Sequence, residues 1–132
     1  MDPQRNKPTV RHVVVVVDDD PAVCNSLKFA LEIEGFVVRL YENASALLSE
    51  RSLPDCSCLV VDQKMPGIAG LDLVAMLRDQ DVSAPAILIT SHPNAALARR
   101  AADANVPIVE KPLLNNTLLE LIRNVCAARN PT

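Results

Sequence analysis

The stretch VVVVVDDDP, residues 13–21, joins five consecutive valines to three carboxylates and a proline. An unbroken β-branched run suits a strand buried on both faces, as in a parallel sheet covered by helices. The carboxylates fall where that strand ends. Pro21 is placed to open a helix, where its missing N–H is no loss, and Asp20 before it reads as the helix cap.

Working outward, Phe36 to Tyr41, Leu59 to Val61, Ala86 to Ile89 and Pro107 to Val109 read as four further strands. Helices alternate with them. The first runs from Pro21 to Glu34, with Val23, Leu27, Ala30 and Leu31 on one stripe and Gly35 beyond its end. Asn43 or Ser45 caps a second, and Gly70 precedes a third carrying Leu71, Val74 and Ala75. Asn94 caps an alanine-rich fourth from about Ala95 to Asp103, and the fifth spans about Asn116 to Ala128. Five repeats of strand and helix predict an α/β fold, a doubly wound parallel sheet with helices on both faces.

A chain of 132 residues fits one domain, assigned to residues 11–128, with a loose lead-in over 1–10 and a short tail over 129–132. A net charge of -3, with the thirteen Lys and Arg scattered apart from Arg99 and Arg100, disfavours direct nucleic-acid binding. No apolar run exceeds the five residues of Val13 to Val17, against roughly 20 needed to span a bilayer. The expectation is a soluble cytoplasmic protein with no membrane partner. Cys24, Cys56, Cys58 and Cys126 read as small core residues rather than disulfides, and Cys56 with Cys58 lacks the second nearby pair that zinc sites show.

Ligands in such sheets bind beyond the carboxyl ends of the strands, where strand order reverses. The residues there are Asp18, Asp19 and Asp20 after the first strand, Asp62 after the third, Thr90 after the fourth, and Glu110 with Lys111 after the fifth. If the order is 2-1-3-4-5, the first and third strands are neighbours and three carboxylates share one cleft. At about 4 Å two such charges repel by roughly 4 kcal/mol at an effective dielectric of 20, so the cluster holds protons or a cation. Oxygen-only ligands select a hard ion such as Mg2+, which leaves positions for phosphate oxygens. A carboxylate can attack phosphorus, with Lys111 and the Thr90 hydroxyl meeting other oxygens of the transferred group.

Singly, each residue has an ordinary explanation: Asp62 as a turn residue, Thr90 as a helix cap, Lys111 as a solvated loop lysine. Jointly they resemble the response-regulator receiver family of bacterial two-component systems. VVVDDDP resembles its acidic-pair strand, VVDQKMPGIAGLDL its phosphoacceptor segment, ILITSH its hydroxyl-bearing strand and VEKPL its lysine-proline turn, over about Arg11 to Ala128. The resemblance implies a flavodoxin-like fold of five strands in order 2-1-3-4-5 and five helices, with Mg2+ as cofactor. It also implies a phosphorylation switch, with a sensor histidine kinase or phosphotransfer protein as donor, and no turnover chemistry beyond the chain's own phosphoryl transfer and dephosphorylation.

By position, the resemblance makes Asp62 the phosphoacceptor, Asp18 and Asp19 the acidic pair, Lys111 the phosphate-contacting lysine and Thr90 the switch hydroxyl. Asp19, Asp62 and the Lys64 backbone carbonyl contact the metal directly, and Asp18 acts mainly through water. Lys111 to Pro112 is expected to be cis. Gln63, Lys64, Ser91 and His92 line the approach of attacking water. The fourth helix, fifth strand and fifth helix carry output to a second copy or a partner. Ile108 departs from the pattern, standing where the family often has Tyr or Phe. The resemblance fits a stand-alone switch or part of a longer regulator. A pseudo-receiver that works without phosphorylation is the alternative, and an aspartate-dependent phosphatase is disfavoured because Lys64 stands where a second Asp is required.

Overall fold

The computed structural model describes residues 12–50, 56–113 and 115–129. The lead-in assigned to residues 1–10 and, of the tail assigned to 129–132, residues 130–132 lie outside them, whereas Arg129 is the last residue of a helix. Five strands, β1 Val13–Val17, β2 Val37–Tyr41, β3 Cys58–Asp62, β4 Ala86–Thr90 and β5 Ile108–Glu110, form one parallel sheet in the order β2-β1-β3-β4-β5. The helices are α1 Pro21–Ile33, α2 Ala44–Leu48, α3 Gly70–Asp79, α4 Ala95–Asp103 and α5 Thr117–Arg129. The doubly wound α/β architecture is as the alternation predicts.

Alternation of side chains along the buried strands divides the core into two layers. Val15, Val17, Leu59, Val61 and Leu88 face the layer holding Leu47 of α2, Leu73 and Leu77 of α3 and Leu97 of α4. Val14, Val16, Val60, Ile87 and Ile89 face Leu27 and Leu31 of α1 with Leu118 and Ile122 of α5. β3 and β4 are buried along their whole lengths, whereas β2 and β5 are the half-covered edges. Each fully buried Val, Leu or Ile contributes about 1.5–3 kcal/mol of hydrophobic stabilisation.

The strand ends differ from the sequence expectation in an informative way. β3, β4 and β5 each reach one residue further, to Asp62, Thr90 and Glu110, because these polar residues keep their places in the ladder: Asp62 is paired with Ile89, and Thr90 with Glu110. β2 begins at Val37 rather than Phe36, since the Phe36 N–H is taken by Leu31 in closing α1, where Gly35 adopts φ 95. The caps are as expected: Asp20 on α1, Asn43 rather than Ser45 on α2, and Asn94 on α4. Cys56 and Cys58 are both buried and pack in different core layers. Among the described residues, no helix is long and apolar enough to cross a membrane.

Candidate functional site: an acidic cleft at the switch point

Strand order reverses between β1 and β3, which are hydrogen-bonded neighbours, and the side chains beyond their carboxyl ends converge. Asp18 leaves β1 with its N–H bonded to the Tyr41 carbonyl at 3.1 Å, so the chain cannot drift from the sheet edge. The Lys111 N–H is held by the Thr90 carbonyl at 2.8 Å, and the Lys111-Pro112 peptide is cis, as the family resemblance implies. Asp18, Asp62 and Thr90 are 1%, 4% and 4% exposed and are the buried polar side chains among the described residues.

The Lys111 ammonium lies 3.0 Å from Asp18 Oδ2 and 3.4 Å from Asp62 Oδ1, a single cation between two carboxylates. Asp18 Oδ1 accepts the Asp20 N–H at 2.9 Å, whereas Oδ2 has no hydrogen-bond partner and is served only by its ion pair with Lys111. Burial and the charge of Asp18 push the Asp62 carboxyl up to about 6, against the pull of Lys111 and of a Lys64 backbone N–H. Burial opposes the charge on Lys111, but the two carboxylates outweigh it and hold its pKa above the ordinary value. One ammonium therefore does not neutralise the site.

Carboxylate oxygens of Asp18, Asp19 and Asp62 lie within 4.8 Å of one another, with Asp19 exposed at the mouth. An all-oxygen set with an unsatisfied buried oxygen and excess negative charge fits a hard divalent cation. The carboxylates open into a cleft of about 660 Å³ that Lys64, Thr90, Ser91, His92 and Arg100 also line. Thr90 Oγ1 accepts the His92 N–H at 3.2 Å, which orients the hydroxyl toward the β4-α4 turn.

Of the residues the strand-end reading selects, Asp19, Asp20, Asp62, Thr90 and Lys111 line the cleft, Asp18 is buried and joins them through its ion pair with Lys111, and Glu110 does not take part; Ile108, the departure from the family pattern, packs half-buried against the α2-α3-α4 core layer. Four contributors escaped that reading. Gln63 turns its side chain to α3, where Oε1 accepts the Leu71 N–H at 2.8 Å and substitutes for the cap that Ala69 cannot supply. Gly70 packs so closely on the Asp62 carbonyl that any Cβ would collide with it. Cys24 Sγ donates to the Asp18 carbonyl at 3.2 Å from beneath, and burial with the nearby Asp18 and Asp20 charges pushes its thiol up to about 11. Arg100 enters the cleft from α4; its position three residues after buried Leu97 is the one local signal that could have placed it.

A doubly wound sheet whose switch point carries buried carboxylates, a bridging lysine and a hydroxyl defines a flavodoxin-like signalling domain. The chain matches the family described as response regulator receiver domain over residues 14–123, and it belongs to that family. It is 33% identical over 126 residues to the transcriptional regulatory protein FixJ of Bradyrhizobium diazoefficiens, covering 93% of this chain and 60% of that regulator. The solved structure of FixJ-N is 30% identical, covers 94% of this chain and 99% of that one, and superposes with a TM-score of 0.76. A receiver domain from Methanospirillum hungatei shares the fold at a TM-score of 0.83 with 23% identity, over 91% of this chain and 97% of that one. The chain is thus a receiver domain of the two-component response-regulator type, and it spans about 60% of the FixJ regulator's length.

Proposed function

We propose that the chain is a Mg2+-dependent phosphorylation switch in which Asp62 accepts a phosphoryl group from a sensor histidine kinase or phosphotransfer protein. The observation that carries this reading is the Lys111 ammonium set between Asp18 Oδ2 and Asp62 Oδ1, beside an acidic set that one lysine cannot neutralise. Asp19, Asp62 and the Lys64 backbone carbonyl would hold the cation, with Asp18 acting mainly through water. A Mg2+ ion bound there would lower the charge repulsion between the acceptor carboxylate and the incoming phosphoryl oxygens.

An ionised Asp62 oxygen attacks phosphorus, the bond from phosphorus to the donor breaks, and the donor leaves with its electron pair. Lys111 exchanges part of its contact with Asp62 for a phosphoryl oxygen, and the Thr90 hydroxyl turns its proton to another. The chain is a stoichiometric switch rather than a turnover enzyme, acting in the cytoplasm. Its output passes through α4, β5 and α5 to a second copy or a partner. Support for that surface lies in α4, which buries only Leu97 and Ala101, and in β5, a three-residue edge strand.

Intact mass after incubation with Mg2+ and acetyl phosphate tests the proposal. A gain of one phosphoryl group is expected, abolished by EDTA and by Asp62→Asn. Stoichiometric uptake by the Asp62→Asn chain would remove Asp62 from its role. An unchanged amide NMR spectrum on adding beryllofluoride with Mg2+ would favour an interaction module that works without phosphorylation.

A further inference from the structure

Arg100 stands apart from the acidic set yet shares its cleft. Its guanidinium Nη2 bonds Asp72 Oδ1 at 2.9 Å, tying α4 to the first turn of α3. The two side chains are 55% and 57% exposed, so the pair is screened and weakly held. Asp72 lies outside the cleft lining, whereas Arg100 lies within it together with Asp62, Lys64 and Lys111. Arg99, the adjacent exposed cation on α4, does not line it.

We propose that Arg100 is a phosphoryl-binding residue: when Asp62 carries a phosphoryl group, the guanidinium leaves Asp72 and takes a phosphoryl oxygen. The inference rests on Asp62 as the phosphoacceptor. A phosphoryl group brings nearly two negative charges and several strong acceptors into a partly enclosed cleft, and a guanidinium binds such oxygens in a forked geometry that Lys111 cannot reproduce. The exposed Asp72 carboxylate offers one charge in water. The exchange moves Arg100 toward β3 and carries the last turn of α4, where it sits, with it. Ile108 is aliphatic, so the charge transfer couples the acceptor to α4 without an aromatic side chain changing its packing.

Titration of the full chain with beryllofluoride and Mg2+, followed by amide NMR, tests the exchange. Arg100→Gln is expected to weaken the apparent affinity about five-fold and to reduce the shifts along α4, while Arg99→Gln, with the same change in net charge, leaves both unaltered. Asp72→Asn frees the guanidinium and tightens binding about two-fold, but only while Arg100 is present; added to Arg100→Gln it has no effect. Equal losses from Arg99→Gln and Arg100→Gln, or the same gain from Asp72→Asn in both backgrounds, would reduce Arg100 to one charge in a general field and overturn the inference. All three substitutions are at exposed positions, and retained amide dispersion confirms folding. A wild-type chain that gave no response would instead remove the phosphoacceptor reading on which this one stands.

Discussion

β3 and α4 meet at the same cleft and are held in opposite ways. β3 is buried from Cys58 to Asp62, lies between β1 and β4, and presents its carboxylate from a strand that has no room to shift. α4 buries Leu97 and Ala101, is capped by one asparagine side chain, and is tied to α3 by an exposed ion pair. Chemistry that depends on placing oxygens within tenths of an ångström belongs on the first kind of element, and a response to that chemistry belongs on the second.

The comparison is most exposed to one substitution made twice. Leu88→Ala on β4 is expected to cost about 4 kcal/mol and Leu97→Ala on α4 about 2, because the sheet interior cannot collapse into the space left while α4 can settle inward. Leu88 is 0% exposed and Leu97 7%. Urea denaturation measures both, and equal costs would erase the distinction between a rigid floor and a loosely held helix.

Gly70 extends the rigid region into the β3-α3 connection. A methyl group there meets the Asp62 carbonyl oxygen and carbon and the Val61 side chain. Gly70→Ala is expected to destabilise by about 2–3 kcal/mol and to weaken Mg2+ binding, since relief requires the acceptor backbone to move. Unfolding curves and Mg2+-dependent amide shifts read the two effects; loss of stability with unchanged Mg2+ affinity would separate the turn from the site.

The site itself is a cost to the fold. The Asp62 carboxyl is held at about 6, by burial and then by Asp18, against an ordinary 3.8. The folded chain therefore keeps this proton where the unfolded chain has lost it, so stability falls as pH rises from about 4 to about 6, and the full penalty is present at pH 7. Asp62→Asn cannot ionise and is expected to stabilise the metal-free chain by about 1–2 kcal/mol at pH 7, with the difference vanishing near pH 4. Thermal melts at both pH values check this, and saturating Mg2+ should shrink the difference by stabilising the ionised wild type.

These contrasts also mark what the sequence makes legible. Val13 to Val17 announces a doubly covered strand because β-branched runs have few other uses, and the strand-end rule then selects Asp18, Asp19, Asp62, Thr90 and Lys111 without reference to distance, along with Asp20, which caps α1, and Glu110, which is absent from the cleft lining. The Gln63 cap is not legible: its acceptor serves an N–H eight residues away, a separation outside any local capping pattern. Gly70 is legible as a helix start but not as a close approach, which depends on where β3 ends. Arg100 reads as one of two solvated cations until α4 is placed over the cleft and separates it from Arg99.

The smallest effect tests the margin of α4. Asn94 Oδ1 accepts the Leu97 N–H at 2.8 Å, satisfying one of the donors that open the helix. Asn94→Ala should cost about 1 kcal/mol. In an element so thinly buried that cost should stay local, raising amide exchange in the first turns of α4 while β3 and β4 keep their protection. Hydrogen exchange resolved by residue distinguishes the outcomes. Acceleration confined to α4 shows a helix able to move while the acceptor strand stays fixed; a matching acceleration in β4 would make the two one cooperative unit, and output through α4 would then have to disturb the strands that hold the site.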